Sequence, residues 1–203
     1  MNDKNPIVFV VDDDESVRKS LERLIRSVGL AVEIFPSARS FLEREQYDGP
    51  SCLVLDVRMP EISGLDLQAE LAQAKCNIAI IFITGHGDIP MSVQALKKGA
   101  SDFLTKPFND QELLDAIHQA IEKDKQAKQR QAGLKVIQKC IDSLTPRERE
   151  VFFHVVKGML NKQVAFELGT SEKTIKVHRA RVMEKMKADS LADLVRMSEK
   201  MKT

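Results

Sequence analysis

Long hydrophobic runs are missing from these 203 residues. No stretch approaches the roughly 20 apolar residues a bilayer-spanning helix needs. The apolar run near the N-terminus, Ile7 to Val11, is too short for a signal segment and acids follow it at once. A soluble, cytosolic protein is expected. Cysteine is scarce: Cys52, Cys76 and Cys140 are an odd set, widely separated, with no CxxC pair and no Cys/His cluster. That argues against a disulfide framework and suits buried thiols in a reducing compartment. No GxxxxGK[ST] segment exists, which excludes P-loop nucleotide chemistry. A surplus of one charge is lacking too, since 31 basic and 30 acidic residues leave a net +1, and 43% hydrophobic content excludes a disordered chain. The balance hides a polarity. Residues 1–121 hold 12 Lys/Arg against 19 Asp/Glu, 122–143 hold six against three, and 144–203 hold 13 against eight. An acidic head followed by a basic tail suggests a cation-binding or interaction part joined to one that meets polyanions. Charge alone does not choose between nucleic acid and a membrane surface.

What is present in the head is alternation. Short runs rich in β-branched residues recur at Ile7 to Val11, Ala31 to Phe35, Cys52 to Leu55, Ala79 to Ile83 and Asp102 to Leu104. Between and after them lie helix-spaced apolar sets: Val17, Leu21, Leu24, Ile25 and Val28; Leu65, Leu67 and Leu71; Val93 and Leu96; Leu113, Leu114, Ile117 and Ile121. Near-continuous apolar strands are buried on both faces, so five of them alternating with five helices predict a parallel doubly wound α/β sheet of order 2-1-3-4-5 over residues 1–121. From 122 to 143 strand-like runs stop and Lys, Gln, Ala and Glu dominate, which reads as a helical linker. Within it Leu134, Ile137, Ile141 and Leu144 form a short seam, equally suited to packing within the chain and to self-association, with Gly133 as its weak point. Beyond lies an all-α domain, 144–203, of four helices. Thr145-Pro146 with Glu148 is a capping box; helices follow to Gly158, over Asn161 to Leu168, over Glu172 to Met186 and over Ser190 to Met201, with Gly169-Thr170-Ser171 as a turn.

The acids of the head fall at strand ends. Asp12, Asp13 and Asp14 follow the first strand and Asp56 the third. In an open parallel sheet ligands bind beyond the carboxyl ends of strands where their order reverses, and strands one and three flank that point. Asp12, Asp13 and Asp56 are therefore expected to converge, and mutually repelling carboxylates share a divalent cation or raise one another's pKa. Oxygen ligands with no His or Cys nearby suit Mg²⁺. Thr84 closes strand four and Lys106 closes strand five, over the same edge. A hydroxyl, an ammonium and a hard cation around one carboxylate are what a phosphoryl group requires, with Asp56 as nucleophile forming an acyl phosphate. An Asp run after a strand is also an ordinary helix N-cap, and a Lys before Pro is ordinarily surface. The joint occurrence at four strand ends favours the pocket.

The segments VVDDDESVR, LVLDVRMPEISGLDL and FITGHGDIPMSVQALKKGASDFLTKPF resemble the receiver domain of two-component response regulators over residues 1 to about 121. The resemblance implies that Asp56 accepts phosphate from a His of a sensor histidine kinase, that Asp12 and Asp13 hold Mg²⁺ with the backbone carbonyl of Arg58, and that Thr84 and Lys106 contact phosphoryl oxygens. It implies a cis Lys106-Pro107 bond and an aromatic switch at Phe103, which lacks a hydroxyl and must work by ring burial. Arg58 and His86 fall where side chains tune hydrolysis. Haloacid-dehalogenase-like phosphohydrolases offer a different class, an enzyme with similar groups. They carry an acid/base Asp two residues after the nucleophile, where this chain has Arg58, so a persistent switch rather than an enzyme is favoured.

In the tail a short helix, a turn and a second helix bearing Lys173, Lys176, Arg179 and Arg181 form a helix-turn-helix. Lys176 and Val177 are placed for base edges, and Lys162, Lys173, Thr174 and Arg179 for phosphates; the plain reading is a four-helix bundle with a solvated basic face. LTPREREVFFHVVKGMLNKQVAFELGTSEKTIKVHRARVMEKM resembles the LuxR-type DNA-binding domain. Ala180 is too short to hydrogen-bond a base, and His178 is read as packing with a polar edge. Leu191, Leu194 and Val195 resemble that domain's dimer face or belong to the bundle core. Together the halves resemble a NarL/FixJ-class response regulator of the FixJ-like branch. That implies promoter DNA and RNA polymerase as partners, and a homodimer on phosphorylation through a face including Val93, Leu96 and Lys97.

Overall fold

The computed structural model describes residues 4–85 and 89–201 and divides into two compact units, one closing at Lys128 and the other opening at Gln129. In the first, strands β1 (Ile7–Val11), β2 (Ala31–Phe35), β3 (Ser51–Asp56), β4 (Ala79–Thr84) and β5 (Asp102–Thr105) form one parallel sheet of order β2-β1-β3-β4-β5. Period-two alternation divides its side chains. Val8, Val10, Cys52, Val54, Ile81, Ile83 and Leu104 face helices α1 (Glu15–Ser27) and α5 (Asp110–Asp142). Ile7, Phe9, Val11, Leu53, Leu55, Ile80 and Phe82 face α2 (Ala38–Leu42), α3 (Gly64–Gln73) and α4 (Ile89–Lys97). Both faces are covered, which is why the central strands β1, β3 and β4 are apolar apart from residues at their ends, whereas the edge strands β2 and β5 carry Glu33 and Asp102 at exposed and partly exposed positions.

Helix α2 had no periodic signature, being a five-residue turn of helix. It forms because Ser37 caps it, its hydroxyl accepting from Ser40 N–H at 3.2 Å while the Ser40 hydroxyl reciprocates. Phe41 anchors it against Phe9 and Phe35, and the Arg44 guanidinium lies 3.7 Å from the Phe41 ring.

Helix α5 runs unbroken to Asp142, past the boundary expected after residue 121. Its turns up to Lys128 belong to the first unit, held by polar groups: buried Asp124 accepts from Ser51 N–H at 2.8 Å and pairs with Lys128 at 2.8 Å, and Lys128 also donates to the Gly49 carbonyl and to Ser51 Oγ. In the second unit α6 (Pro146–Val155), α7 (Asn161–Glu167), α8 (Glu172–Met186) and α9 (Leu191–Lys200) enclose a separate core. Ile137, Ile141 and Leu144 are buried in it, so that part of the seam packs within the chain. Leu194 is likewise core, Val195 is half-buried and Leu191 is partly exposed. Of the cysteines only Cys52 is fully buried; Cys76 and Cys140 are half-buried, each at a helix margin rather than inside the sheet, and all three are free.

Candidate functional site

Strand register sets the first unit's site. Val11 lies beside Leu55, Asp56 beside Ile83 and Thr84 beside Thr105, so the residues that close β1, β3, β4 and β5 reach one edge at one level. Asp12 and Asp56, 1% and 5% exposed, are sealed beneath it, as is Thr84. Lys106 Nζ lies between the acids, 2.7 Å from Asp12 Oδ2 and 3.1 Å from Asp56 Oδ1. The Lys106 backbone is fixed by its N–H bond to the Thr84 carbonyl at 2.7 Å, and its bond to Pro107 is cis as expected.

The remaining lone pairs are partly occupied. Arg58 N–H donates to Asp56 Oδ2 at 2.9 Å, and Asp14 N–H to Asp12 Oδ1 at 2.9 Å. Burial pushes the Asp56 carboxyl above its ordinary pKa, against the opposing pull of Lys106. For Lys106 burial acts in the lowering direction, but hydrogen bonds to Asp12 and Asp56 outweigh it and the ammonium is held more firmly protonated. Among the described residues the pocket thus carries two buried carboxylates against one cation, and its potential metal ligands are oxygens.

The acid run splits into three roles. Asp12 enters the pocket, Asp13 is exposed beside it, and Asp14 caps α1, accepting from Ser16 N–H at 2.7 Å and Val17 N–H at 3.4 Å. The expected convergence of three carboxylates is not present: among the described residues no group of three His, Cys, Asp or Glu is close enough to hold a metal. The reason is local, because Lys106 fills the space between Asp12 and Asp56 while Asp13, the next residue along, faces outward.

Two residues of this site were not singled out from the sequence. Arg18 donates to the Asp12 carbonyl at 2.6 Å, bracing the turn that carries the acids; the only signal was a basic residue one turn into α1. Gly64 opens α3, where an added Cβ would lie 2.3 Å from the Asp56 carbonyl oxygen, so only glycine lets that helix start against the end of β3. Phe103 is half-buried, its ring centroid 6.2 Å from that of Phe82 in a tilted arrangement. Val93, Leu96 and Lys97 are exposed together on α4. His86 lies outside the described residues.

In the second unit α7, a turn at Gly169 and α8 follow each other as expected. Ser171 caps α8, accepting from Thr174 N–H at 3.1 Å, and its hydroxyl also meets the Thr174 hydroxyl at 2.8 Å, so Thr174 serves the cap. Ile175, Val182 and Met186 face the core. At 100° per residue the opposite side presents Lys173, Val177, Ala180 and Glu184, flanked by Lys176 and Arg181, all exposed. Lys176 makes an i,i+4 pair with Glu172 at 3.5 Å, while Arg179 is half-buried and donates to Asn161 Oδ1 at 3.0 Å, tying α8 to the start of α7. His178 is half-buried. Beneath the helices Glu148 is sealed, completing the Thr145 capping box and pairing with Lys185 at 2.6 Å. Those bonds, led by Lys185, hold its carboxyl down to about 2.

The comparisons agree with both geometries. Residues 8–118 match the response regulator receiver domain family, and residues 142–198 match the luxR family of bacterial regulatory proteins. The chain is 56% identical over 193 residues to Nodulation protein W of Bradyrhizobium diazoefficiens, covering 95% of this chain and 85% of that protein. It is 45% identical over 191 residues to the transcriptional regulatory protein FixJ of Rhizobium meliloti, covering 94% of each. Among solved structures, response regulator StyR aligns with a TM-score of 0.88 at 48% identity, over 97% of this chain and 100% of that one. Full-length FixJ from B. japonicum aligns at 0.58 and 40% identity, over 96% of each. With a carboxylate-and-lysine pocket at the strand ends of one matched region and an exposed recognition-type helix in the other, the chain belongs to the response regulators of two-component systems, in the NarL/FixJ class and its FixJ-like branch, joining a receiver domain to a LuxR-type DNA-binding domain.

Proposed function

We propose that Asp56 is the phosphoryl acceptor and that its phosphorylation turns on promoter binding by the LuxR-type domain. The observation that carries this is the buried Asp56 carboxylate with Lys106 Nζ 3.1 Å away at the carboxyl edge of the sheet. An Asp56 oxygen attacks the phosphorus of a phosphohistidine on the sensor kinase; the P–N bond breaks, the imidazole keeps its electron pair, and an acyl phosphate forms. Lys106 and the Thr84 hydroxyl donate to phosphoryl oxygens in the transition state. Oxygen donors with a net negative charge suit Mg²⁺: Asp12, Asp56 and the Arg58 backbone carbonyl, joined by Asp13 once its exposed side chain turns in from the neighbouring position, would hold it, and when bound it would supply positive charge against the phosphoryl oxygens. The absence of an acid/base carboxylate at position 58 supports a lasting phosphate over turnover.

The downstream steps follow from chemistry at the same edge. The phosphoryl group draws Thr84 toward it, Phe103 packs further inward, and the face of Val93, Leu96 and Lys97 pairs with a second copy. Lys176 and Val177 read bases, and Lys162 and Lys173 hold phosphates. Arg179, engaged with Asn161, sets the angle of α8 and offers its other nitrogens to the backbone. Bound at a promoter in the cytoplasm, the dimer presents itself to RNA polymerase. The test is Asp56→Asn with a phosphorylated histidine donor and Mg²⁺. The folded variant is expected to take up no label while the unaltered chain labels stoichiometrically once; labelling of the variant, or sustained phosphate release by the unaltered chain, refutes the assignment.

A further inference from the structure

The two most exposed large apolar side chains among the described residues lie within one short segment: Phe166, 86% exposed, and Leu160, 68%. Both belong to α7 and its N-cap rather than to α8. Val164 and Ala165 turn into the core, so the outer side of this helix presents Lys162, Gln163, Phe166 and Glu167, with Lys162 and Phe166 one turn apart. Fully burying a side chain of this kind is worth about 1.5–3 kcal/mol, and a phenylalanine left almost bare on a well-packed helix forgoes that unless something covers it. The Leu160 N–H is taken by Gln163 Oε1 at 2.8 Å, which fixes the end of the helix that displays these groups.

Helix α7 itself is balanced, Lys162 against Glu167, and it is the charge of the whole helix-turn-helix that selects the occupant. From Asn161 to Met186 six basic residues stand against three acidic ones. In helix-turn-helix proteins the first helix crosses the nucleic-acid backbone while the second enters the groove, and sugar and phosphate take half or more of the contacts. We propose that Leu160 and Phe166, with Lys162 between them, grip the sugar faces of the DNA backbone, an apolar clamp that adds affinity without reading sequence and without releasing counterions. The proposal rests on DNA binding by this domain.

That last property makes it separable from the electrostatic contacts. Full-length protein with acetyl phosphate and Mg²⁺ is titrated onto a mixed-sequence DNA duplex, by fluorescence anisotropy, from about 50 to 200 mM salt. Phe166→Ser and Leu160→Ala are each expected to weaken binding roughly fivefold at every salt concentration, with the slope of log affinity against log salt unchanged and the thermal melt preserved. Phe166→Leu retains most of the affinity. Lys162→Ala instead flattens the slope by about one. Wild-type binding by both apolar variants overturns the clamp, and if those variants also lose promoter activation in cells, the face belongs to a protein partner. A changed slope in Phe166→Ser overturns it as well. Should the unaltered chain fail to bind the duplex, the DNA-binding reading falls first and takes the clamp with it.

Discussion

Three consecutive aspartates do three different things here, and each is decided by what lies one residue away. Asp12 is the first residue past β1 and is drawn under the edge by Lys106; Asp14 is the last before α1 and turns back to cap it; Asp13 between them is left to solvent. Residue type and position relative to strand ends were enough to anticipate Asp56, Lys106 and the capping alternative, because those are one-residue statements. Glu148 was legible only as a cap. Its pairing with Lys185, 37 positions away, depends on how α6 and α8 pack. That pairing has a pH consequence. Its carboxyl titrates at about 2 in the folded protein against 4.5 ordinarily. A lowered carboxylate pKa means the unfolded chain binds the proton first, so the stabilisation is complete above pH 4.5 and drains away as pH falls toward 2. Glu148→Gln is expected to flatten the stability of the DNA-binding unit across that window, measured by urea unfolding under circular dichroism. An undiminished acid slope would show that other carboxylates carry it.

At the scale of elements, the strands were readable almost to the residue, since the central strands, buried on both faces, announce themselves as unbroken apolar runs and the edge strands β2 and β5 keep short β-branched and aromatic runs. Helix α2 was not, because a single capped turn has no room for a period. The division of α5 was equally hidden. Its sequence from 122 onward is helix-forming apart from Gly133, and what assigns its turns is a tie to Ser51 some 73 positions earlier. This tie is polar and buried, which makes it brittle. Removing one partner of a buried charge pair strands the other, so Lys128→Met should leave Asp124 with only the Ser51 N–H and cost about 2 kcal/mol. Hydrogen exchange is the appropriate readout: amides of Glu122 to Lys128 lose protection in the variant, whereas those of Asp110 to Ile121, anchored by Leu113, Ile117 and Ile121, keep theirs. Equal protection in both would place the anchor of these turns elsewhere.

For the whole molecule the question is whether one phosphoryl group can reverse an equilibrium. Taking a population from 1:99 to 99:1 requires about 5.5 kcal/mol of differential stabilisation. The proposed two-fold interface would use each side chain twice, so covering the half-exposed Val93 and Leu96 in both copies would contribute on the order of 3–5 kcal/mol of gross burial, from which the cost of bringing two copies together is subtracted. Charge-assisted bonds of Lys106 and Thr84 to the phosphoryl oxygens must therefore supply a large share. In the proposed switch, dimerisation would place two recognition helices on two half-sites and raise affinity through effective concentration. Neither half of this sum suffices alone, and that gives the proposal its weak point. Leu96→Asp puts a charge into the pairing face without touching the pocket, so labelling of Asp56 is expected to stay stoichiometric and the fold intact, the site being exposed in the single chain. Sedimentation velocity with acetyl phosphate and Mg²⁺ should show the variant remaining monomeric where the unaltered chain dimerises, and its affinity for a two-half-site promoter falling toward that of the unphosphorylated protein. A phosphorylated variant that still sediments as a dimer would move the interface off α4 and leave Val93 and Leu96 without a role in the switch.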